Sequence, residues 1–360
     1  MGPLNGLRIV EMDAIGPVPL AATILADMGA DIIRIARKGG QAAYEDLGES
    51  ILHRGRAGLV LDLKSDTDRA TALNLIGKAD ALIEGFRPGV MERLGLGPEI
   101  CMTRNPRLVY GRMTGWGQSG PMAMRAGHDI NYIAMAGALG LMGSPGRPPE
   151  PPLNLVGDYG GGAMFLALGV TAAMMSAQRA GAGQVVDVAM TDGTAMLLSL
   201  FIALRQGGSW TGRRADNLLD GGRPFYRCYA CADGGHVAVG ALEPPFFAAL
   251  LDGLGIDPGT VDQYDPVGWP RMKDQFAAIF ASRTRDEWMA VFEGTDACVT
   301  PVLSLDEAFT AAQNAERETF VTIDGRHHPA PAPRFSGTPS EIRASTTITS
   351  SDALRRWSAT

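Results

Sequence analysis

Two glycine-flanked side chains, thirty residues apart, carry the chemistry that this sequence offers most plainly. His128 lies in Gly127-His128-Asp129 and Asp158 lies in Gly157-Asp158-Tyr159-Gly160, and helix-like sequence follows each of them. Glycine permits a tight turn, and the free N–H groups of a helix start can hold developing negative charge. The pattern predicts two bases that can face each other, with donors aimed at an oxyanion, as an enolate reaction requires. Taken alone, such a histidine is more often a helix cap or a satisfied core residue, and such an aspartate is more often a helix cap.

Composition sets the class of protein. The chain has 360 residues, 46% of them hydrophobic and 20% charged, which is ordinary globular material and enough for two domains. Its net charge of −7 argues against a general affinity for nucleic acid, whose binding surfaces are strongly basic. Any anionic ligand must therefore be bound by local basic residues.

Location and metal content follow from short segments. The first residues lack the basic and apolar regions of a signal peptide, so we expect a cytoplasmic protein. Residues 159–178 carry no charge, but their glycines and the absence of flanking aromatic anchors favour a buried core helix over a membrane span.

Cys228 and Cys231 form a C-x-x-C without a second pair, so ordinary strand cysteines are favoured over a redox pair and no metal site is predicted.

Alternating strand and helix patterns predict an α/β fold. A Rossmann-like, mostly parallel sheet is expected, with a capping box at Ser65–Asp68, a helix from about Gly161 and another at Thr194–Leu204. The turn Asp13–Pro17 lacks G-x-G-x-x-G, so no nicotinamide cofactor is indicated. The predicted strands are 7–12, 31–36, 58–63, 81–86, 108–113 and 185–189, and a hairpin follows at 226–230 and 236–241.

Composition shifts divide the chain. Residues 1–205 are predicted to form a large domain that 330–360 rejoins. A glycine-rich linker at 206–224 leads to a smaller α+β domain at 225–305, and 306–329 forms the return linker.

From Leu4 to about Ser336 the chain resembles the α-methylacyl-CoA racemases of the family III CoA-transferase superfamily. The matching segments occur together and in order, which makes the resemblance specific. They are Gly29–Asp31, Leu61–Ser65, Glu84–Gly89, Glu92–Gly95, Thr114–Gln118, Gly127–Tyr132, Asn154–Gly160 and Gly240–Pro244.

The resemblance implies inversion of the α-carbon of 2-methyl-branched acyl-CoA thioesters, a step of lipid metabolism. His128 and Asp158 would be the two bases of a 1,1-proton transfer through an enolate. The backbone N–H of Asp129 would donate to the thioester oxygen, and Glu243 would orient His128. Asn154 and Tyr226 would line the site.

The resemblance also implies that CoA binds in the large domain, residues 1–205. Arg37, Arg54 and Arg93 would meet its phosphates, although each arginine taken singly is more often a solvated surface charge. CoA is part of the substrate, so no separate cofactor is implied. The remaining binding positions are Ile15, Leu61, Asp62, Leu63, Gly85, Phe86, Arg87, Gly127, Ile130, Asn131 and Tyr132.

Two departures and two rival functions stay open. Asp13 stands where a small apolar residue is expected, and residues 38–50 match poorly, so CoA contacts there are in doubt. A family III CoA-transferase would use Asp158 as a nucleophile, through an acyl anhydride and an aspartyl-CoA thioester. A non-catalytic acyl-CoA-binding protein would exchange no α-proton.

The resemblance further implies an interlocked homodimer with sites shared between subunits.

Overall fold

Strands and helices alternate along the first half of the chain, as the sequence predicts. In the computed structural model, which describes residues 2–37 and 49–358, the strands are β1 (Arg8–Met12), β2 (Asp31–Arg37), β3 (Arg56–Leu61), β4 (Ala81–Glu84), β5 (Val109–Thr114), β6 (Val185–Ala189), β7 (Tyr226–Ala230), β8 (His236–Gly240), β9 (Val299–Pro301), β10 (Phe320–Ile323), β11 (Arg326–Pro329) and β12 (Thr346–Thr347). Residues 38–48, most of the poorly matching 38–50 segment, lie outside the described residues.

Seven of these strands form one parallel sheet in the described part of the chain, in the order β12-β3-β2-β1-β4-β5-β6. β1 pairs with β2 on one side and with β4 on the other, so the winding direction reverses between β1 and β4. In sheets of this kind ligands bind outside the carboxyl ends of the strands at that reversal. The predicted Rossmann-like α/β fold is confirmed, and the two-residue β12 was missed because it contains no apolar run.

The helices cover both faces of the sheet or build the second unit. A π-helix, Leu155–Ala163, runs directly into the α-helix that begins at Met164, and short 3-10 helices occur at Leu139–Leu141 and Pro258–Thr260. The α-helices are α1 (Pro17–Asp27), α2 (Glu49–Leu52), α3 (Asp66–Ile76), α4 (Val90–Arg93), α5 (Pro98–Arg104), α6 (Asp129–Met135), α7 (Met164–Ala180), α8 (Met190–Leu197), α9 (Ser199–Gln206), α10 (Pro244–Leu254), α11 (Trp269–Phe280), α12 (Arg285–Phe292), α13 (Leu305–Thr310), α14 (Ala312–Glu316) and α15 (Ser350–Arg356).

Three local predictions were wrong. The helix expected from about Gly161 begins at Leu155, and the helix expected at 194–204 is two helices, α8 and α9. The side chain of Ser65 makes no capping hydrogen bond at the start of α3. The carboxylate of Asp68, which should have completed that capping box, accepts instead from the N–H of Asp62 at 2.8 Å.

Alternate residues of the strands build a core on each face of the sheet. Ile9 of β1 packs with α1 and α7, whereas Val10 packs with α3 and α15 on the opposite face. The helical stretch Leu155–Ala180 is long and apolar enough by composition to cross a membrane, but half of its apolar window is buried inside the protein. Its inward residues, such as Leu166 and Val170, belong to the core, as the sequence predicted for this helix.

The chain separates into two units. The first comprises Met1–Ala138, Pro152–Ser199 and Phe320–Thr360, and the second comprises Leu139–Pro151 and Leu200–Thr319. In the second, the antiparallel strands β7, β8 and β9 join α10, α11 and α12 around an aromatic core. The segment predicted as a linker at 206–224 is ordered by its own side chains, since the carboxylate of Asp220 accepts from the N–H groups of Asn217 and Gly222.

Candidate active site

His128 is held at the start of α6 by an aromatic pair. The rings of Trp116 and Tyr132 meet edge to face with centroids 4.7 Å apart, and the Tyr132 hydroxyl donates to the carbonyl of Gly127. A Cβ on Gly127 would lie 2.8 Å from the Tyr132 ring, so glycine is required before the histidine. The backbone N–H of His128 donates to Oδ1 of Asn131 at 3.0 Å. This exposed imidazole therefore stands on a fixed backbone.

Asp158 lies in the first turn of the π-helix, not in a turn before a helix as the sequence suggested. π-helical turns are rare and often mark functional sites. Glycines supply the space: a Cβ on Gly193 of α8 would lie 1.9 Å from the carbonyl oxygen of Gly161, and one on Gly162 would lie 3.0 Å from Pro17. Close packing against α8 and α1 therefore positions this turn.

The carboxylate of Asp158 faces the N-terminus of α1. A Cβ on Gly16, which precedes that helix with a φ of 76°, would lie 3.2 Å from Oδ2 of Asp158. The amide of Asn154 donates to the same oxygen at 3.2 Å, and the role of Asn154 in the reaction stays a prediction. Gly16 was not among the predicted site residues, although a Gly-Pro pair at a helix start is a signal that the sequence contains.

Burial raises the pKa of Asp158 above its ordinary range. The hydrogen bond from Asn154 opposes that shift, the negative charge of Asp129 adds to it, and the charge of His128 lowers the pKa. Desolvation prevails, so this carboxyl can carry a proton at a higher pH than an exposed aspartate.

The side chain of Asp129 connects the two predicted bases. Its Oδ2 accepts from the backbone N–H groups of Gly157 and Asp158, each at 2.7 Å, and the residue is 6% exposed. A Cβ on Gly157 would lie 2.5 Å from that oxygen, so the contact requires glycine. Because Asp129 directly follows His128, one buried carboxylate ties the backbones of both bases together.

This arrangement is suited to moving a proton. An imidazole can accept a proton, and a carboxyl whose pKa is raised by burial can donate one. Asp129 is the first residue of α6, so its backbone N–H has no acceptor within the helix. Its predicted role as donor to a thioester oxygen stays a prediction.

Most of the predicted CoA-binding residues lie at the carboxyl edge of the sheet. The loops after β1 and β4, on either side of the reversal, carry Ile15, which is 53% exposed, and Gly85, Phe86 and Arg87. Exposed Arg37 ends β2 beside Leu61 of β3, with Asp62 and Leu63 next along the chain. Exposed Arg93 ends α4.

Arg54 does not fit its predicted role. It is 4% exposed, and its guanidinium donates to Asp27 through Nε at 3.1 Å and Nη2 at 2.5 Å, while Nη1 donates to the carbonyl of Pro329 at 2.8 Å. A buried guanidinium with these partners is not available to a phosphate. The prediction failed because sequence alone does not distinguish an arginine paired within the core from one at a ligand site.

Other positions carried over from the resemblance lie in or beside α6. Tyr132 is 8% exposed and packs under the loop before His128, so it supports the site from beneath. Gly127 and Asn131 fix the backbone of His128, and Ile130 is 44% exposed. Their contacts with CoA stay predictions.

The predicted departure at Asp13 has a partner. Its carboxylate pairs with Arg34 at 2.7 Å, just after β1. Because Asp13 stands two residues before Ile15, this ion pair lies at the start of the loop predicted to bind CoA.

Two predicted site residues belong to the second unit. Glu243 is exposed and precedes α10, and Tyr226 begins β7. Tyr226 lines a cavity of about 690 Å³ on the face of the small sheet, with Cys228, Ala238 and Cys298 among its neighbours. The predicted contact of Glu243 with His128 stays a prediction.

Comparison with known proteins places the chain in a family. The model of CoA-transferase family III matches residues 4–346. The chain belongs to CoA-transferase family III. Mouse alpha-methylacyl-CoA racemase is 45% identical over 339 residues, covering 93% of this chain and 87% of that protein. The acetyl-CoA:oxalate CoA-transferase of Acetobacter aceti is 30% identical over 362 residues, covering 93% of this chain and 90% of that protein.

A solved family structure agrees with the fold. The crystal structure of Rv3272 from Mycobacterium tuberculosis superposes with a TM-score of 0.82 at 25% identity, covering 98% of each chain. The family predicted from the sequence motifs is therefore confirmed.

Proposed function

We propose that this protein is a racemase that inverts the α-carbon of 2-methyl-branched acyl-CoA thioesters. The observation that carries the proposal is the bridge between the two bases, in which the Asp129 carboxylate fixes the backbone of Asp158 beside that of His128. The 45% identity to mouse alpha-methylacyl-CoA racemase over most of both chains supports the same reaction.

The two bases would act from opposite faces of the α-carbon. One removes the α-proton, which leaves an enolate, and the protonated partner delivers a proton to the other face. His128 and Asp158 exchange these roles with the direction of reaction, so each turnover needs one of them protonated and the other not. Burial of Asp158 helps to satisfy that condition. The N–H of Asp129 would donate to the enolate oxygen.

The CoA part of the substrate would bind at the carboxyl edge of the sheet. Arg37, Arg87 and Arg93 are exposed there, and guanidinium groups suit phosphate. The acyl chain would meet soft apolar side chains, since Met124 and Met135 on either side of His128 are 60% and 64% exposed. We propose that no cofactor beyond the CoA of the substrate takes part.

We also propose that the protein is a homodimer. Met164, Leu168 and Met175 of α7 are 52%, 67% and 56% exposed, and their spacing places them on one face of the helix. An exposed apolar stripe of this kind marks an interaction surface. Light scattering in solution would give twice the mass of the 38.0 kDa chain. A cytoplasmic location stays a prediction.

Exchange in deuterated water tests the reaction. A single enantiomer of a 2-methylacyl-CoA should racemise and take up deuterium at the α-carbon, and His128→Ala should abolish inversion while leaving CoA binding intact. Binding of the thioester without racemisation or exchange would refute the proposal and indicate a non-catalytic binder.

A CoA-transferase is the second candidate, because the relative from Acetobacter aceti carries that activity in its name. In that reaction the Asp158 carboxylate attacks the thioester carbonyl, CoA thiolate leaves, and the acyl anhydride then reacts with CoA to give an aspartyl-CoA thioester and the free acid. A nucleophilic carboxylate must be ionised, whereas burial raises the pKa of Asp158. Transfer of labelled CoA to an added carboxylic acid would favour this alternative.

A further inference from the structure

A buried ion-pair cluster lies under the turn that follows β4. Glu84, the last residue of β4, is 0% exposed, and its register partner Arg112 on β5 is 7% exposed. Nε of Arg112 donates to Oε1 of Glu84 at 3.0 Å, and its two terminal nitrogens donate to the carboxylate of Glu92 at 2.8 and 3.3 Å. One arginine therefore joins a strand end to α4.

The cluster also holds the turn itself. Oε2 of Glu84 accepts from the backbone N–H of Phe86 at 2.7 Å. Gly89, with a φ of 80°, ends the turn, and the guanidinium of Arg93 lies against it, since a Cβ there would be 3.2 Å from Nη1. The supported segment presents two exposed guanidinium groups, those of Arg87 and Arg93.

Burying charged side chains at this position carries a desolvation cost. The fully buried carboxylate of Glu84 and the more exposed carboxylate of Glu92 share one guanidinium, and burial raises the pKa of Glu84 to about 7. Apolar side chains of similar volume would pack the strand ends at no desolvation cost, but they could not accept from the N–H of Phe86 or anchor α4. The hydrogen bonds to Phe86 and to α4 therefore explain why charged residues occupy this position.

We propose that Arg112 and its carboxylate partners are positioning residues for the CoA end of the substrate. They fix the turn 85–89 and α4 so that Arg87 and Arg93 stand ready for phosphate before the ligand arrives. Preorganised groups lose less conformational freedom on binding, so the cluster contributes to affinity without touching the ligand. This inference rests on the proposed function, because it takes the ligand of that turn to be CoA.

Glu92→Ala is the sharpest test. The carboxylate of Glu92 is 44% exposed, so its removal should leave the protein folded while it frees α4 from Arg112. Simple electrostatics predicts tighter binding of an anion once a negative charge has gone. Positioning predicts the opposite: the Kd for free CoA and the KM for the thioester should rise about tenfold as the charge-assisted hydrogen bonds are lost, with kcat changed less than about twofold.

Two further variants make the result decisive. Glu92→Gln retains a hydrogen-bond acceptor and should recover part of the affinity, whereas Glu99→Ala removes an exposed carboxylate of α5 and should match wild type. Unchanged or tighter CoA binding by Glu92→Ala, measured by calorimetry, would overturn the inference. Because calorimetry with CoA needs no turnover, a wild-type protein that binds CoA but catalyses no exchange would refute the proposed reaction and not this inference.

Discussion

Replacing Asp129 by asparagine should separate the charge of this residue from its shape. The amide oxygen can still accept from Gly157 and Asp158, which now donate to a carboxylate at 2.7 Å each. A charge-assisted hydrogen bond contributes about 1 kcal/mol more than a neutral one, so the two bonds together lose about 2 kcal/mol. The Tm should fall by about 4–8 °C, and kcat/KM by up to about 30-fold if the whole loss is felt in the transition state.

The pH profile gives the diagnostic readout. The charge of Asp129 helps to raise the pKa of Asp158, so Asp129→Asn should lower that pKa. Activity needs one proton shared between the two bases and falls at low pH when both are protonated, so the acid limb of kcat/KM should move to lower pH.

The assay is α-deuterium exchange of a 2-methylacyl-CoA measured across the pH range, with Asp192→Asn, an exposed aspartate of α8, as the matched control. An acid limb that stays in place or moves upward in Asp129→Asn would refute the electrostatic coupling. An unchanged rate and Tm would refute the bridge itself.

Three further outcomes are expected. Gly193→Ala places a Cβ 1.9 Å from the carbonyl oxygen of Gly161, so it should lower the free energy of unfolding by about 1–3 kcal/mol. The control Gly337→Ala has open space around its Cβ and should leave the free energy of unfolding almost unchanged. Equal Tm values for the two variants would contradict the packing of α8 on the π-helix. Arg54→Met leaves Asp27 buried and unpaired, so it should lose about 3–5 kcal/mol of stability while the folded enzyme keeps its KM for the thioester; a stable variant with a raised KM would restore Arg54 to the CoA site. Dialysis against EDTA should leave exchange activity unchanged, since residues 2–37 and 49–358 contain no group of three or more metal-ligating side chains; activity that returns only on adding metal would contradict this.

The proposed reaction makes specific demands on one aspartate. In a racemase Asp158 must both accept and donate a proton, so a raised pKa is useful, whereas in a transferase the same carboxyl must attack as an anion. The burial of Asp158 and the charge of Asp129 beside it both act toward the protonated form. The surroundings of Asp158 therefore favour proton transfer over nucleophilic attack.

The sequence by itself determined the α/β class and the order of strands and helices in the first half of the chain, and it predicted which two residues act as bases. The period of the apolar residues and the positions of the glycines are local signals. His128 and Asp158 were likewise predicted from the few residues next to them in the sequence. The family was predicted because several such segments occur together in the sequence and in the expected order.

Only the tertiary structure decided which charged side chains support the fold and which remain available. Arg54 and Arg93 were both predicted to meet the phosphates of CoA, yet one is paired with Asp27 in the core and the other is exposed. The side chain of Asp129 bonds residues 28 and 29 positions further along, and Arg112 joins carboxylates 28 and 20 positions back along the chain. Such contacts depend on how strands and helices pack, so no local sequence pattern predicts them. Burial then decides whether a charged side chain is paired within the protein or available to a ligand.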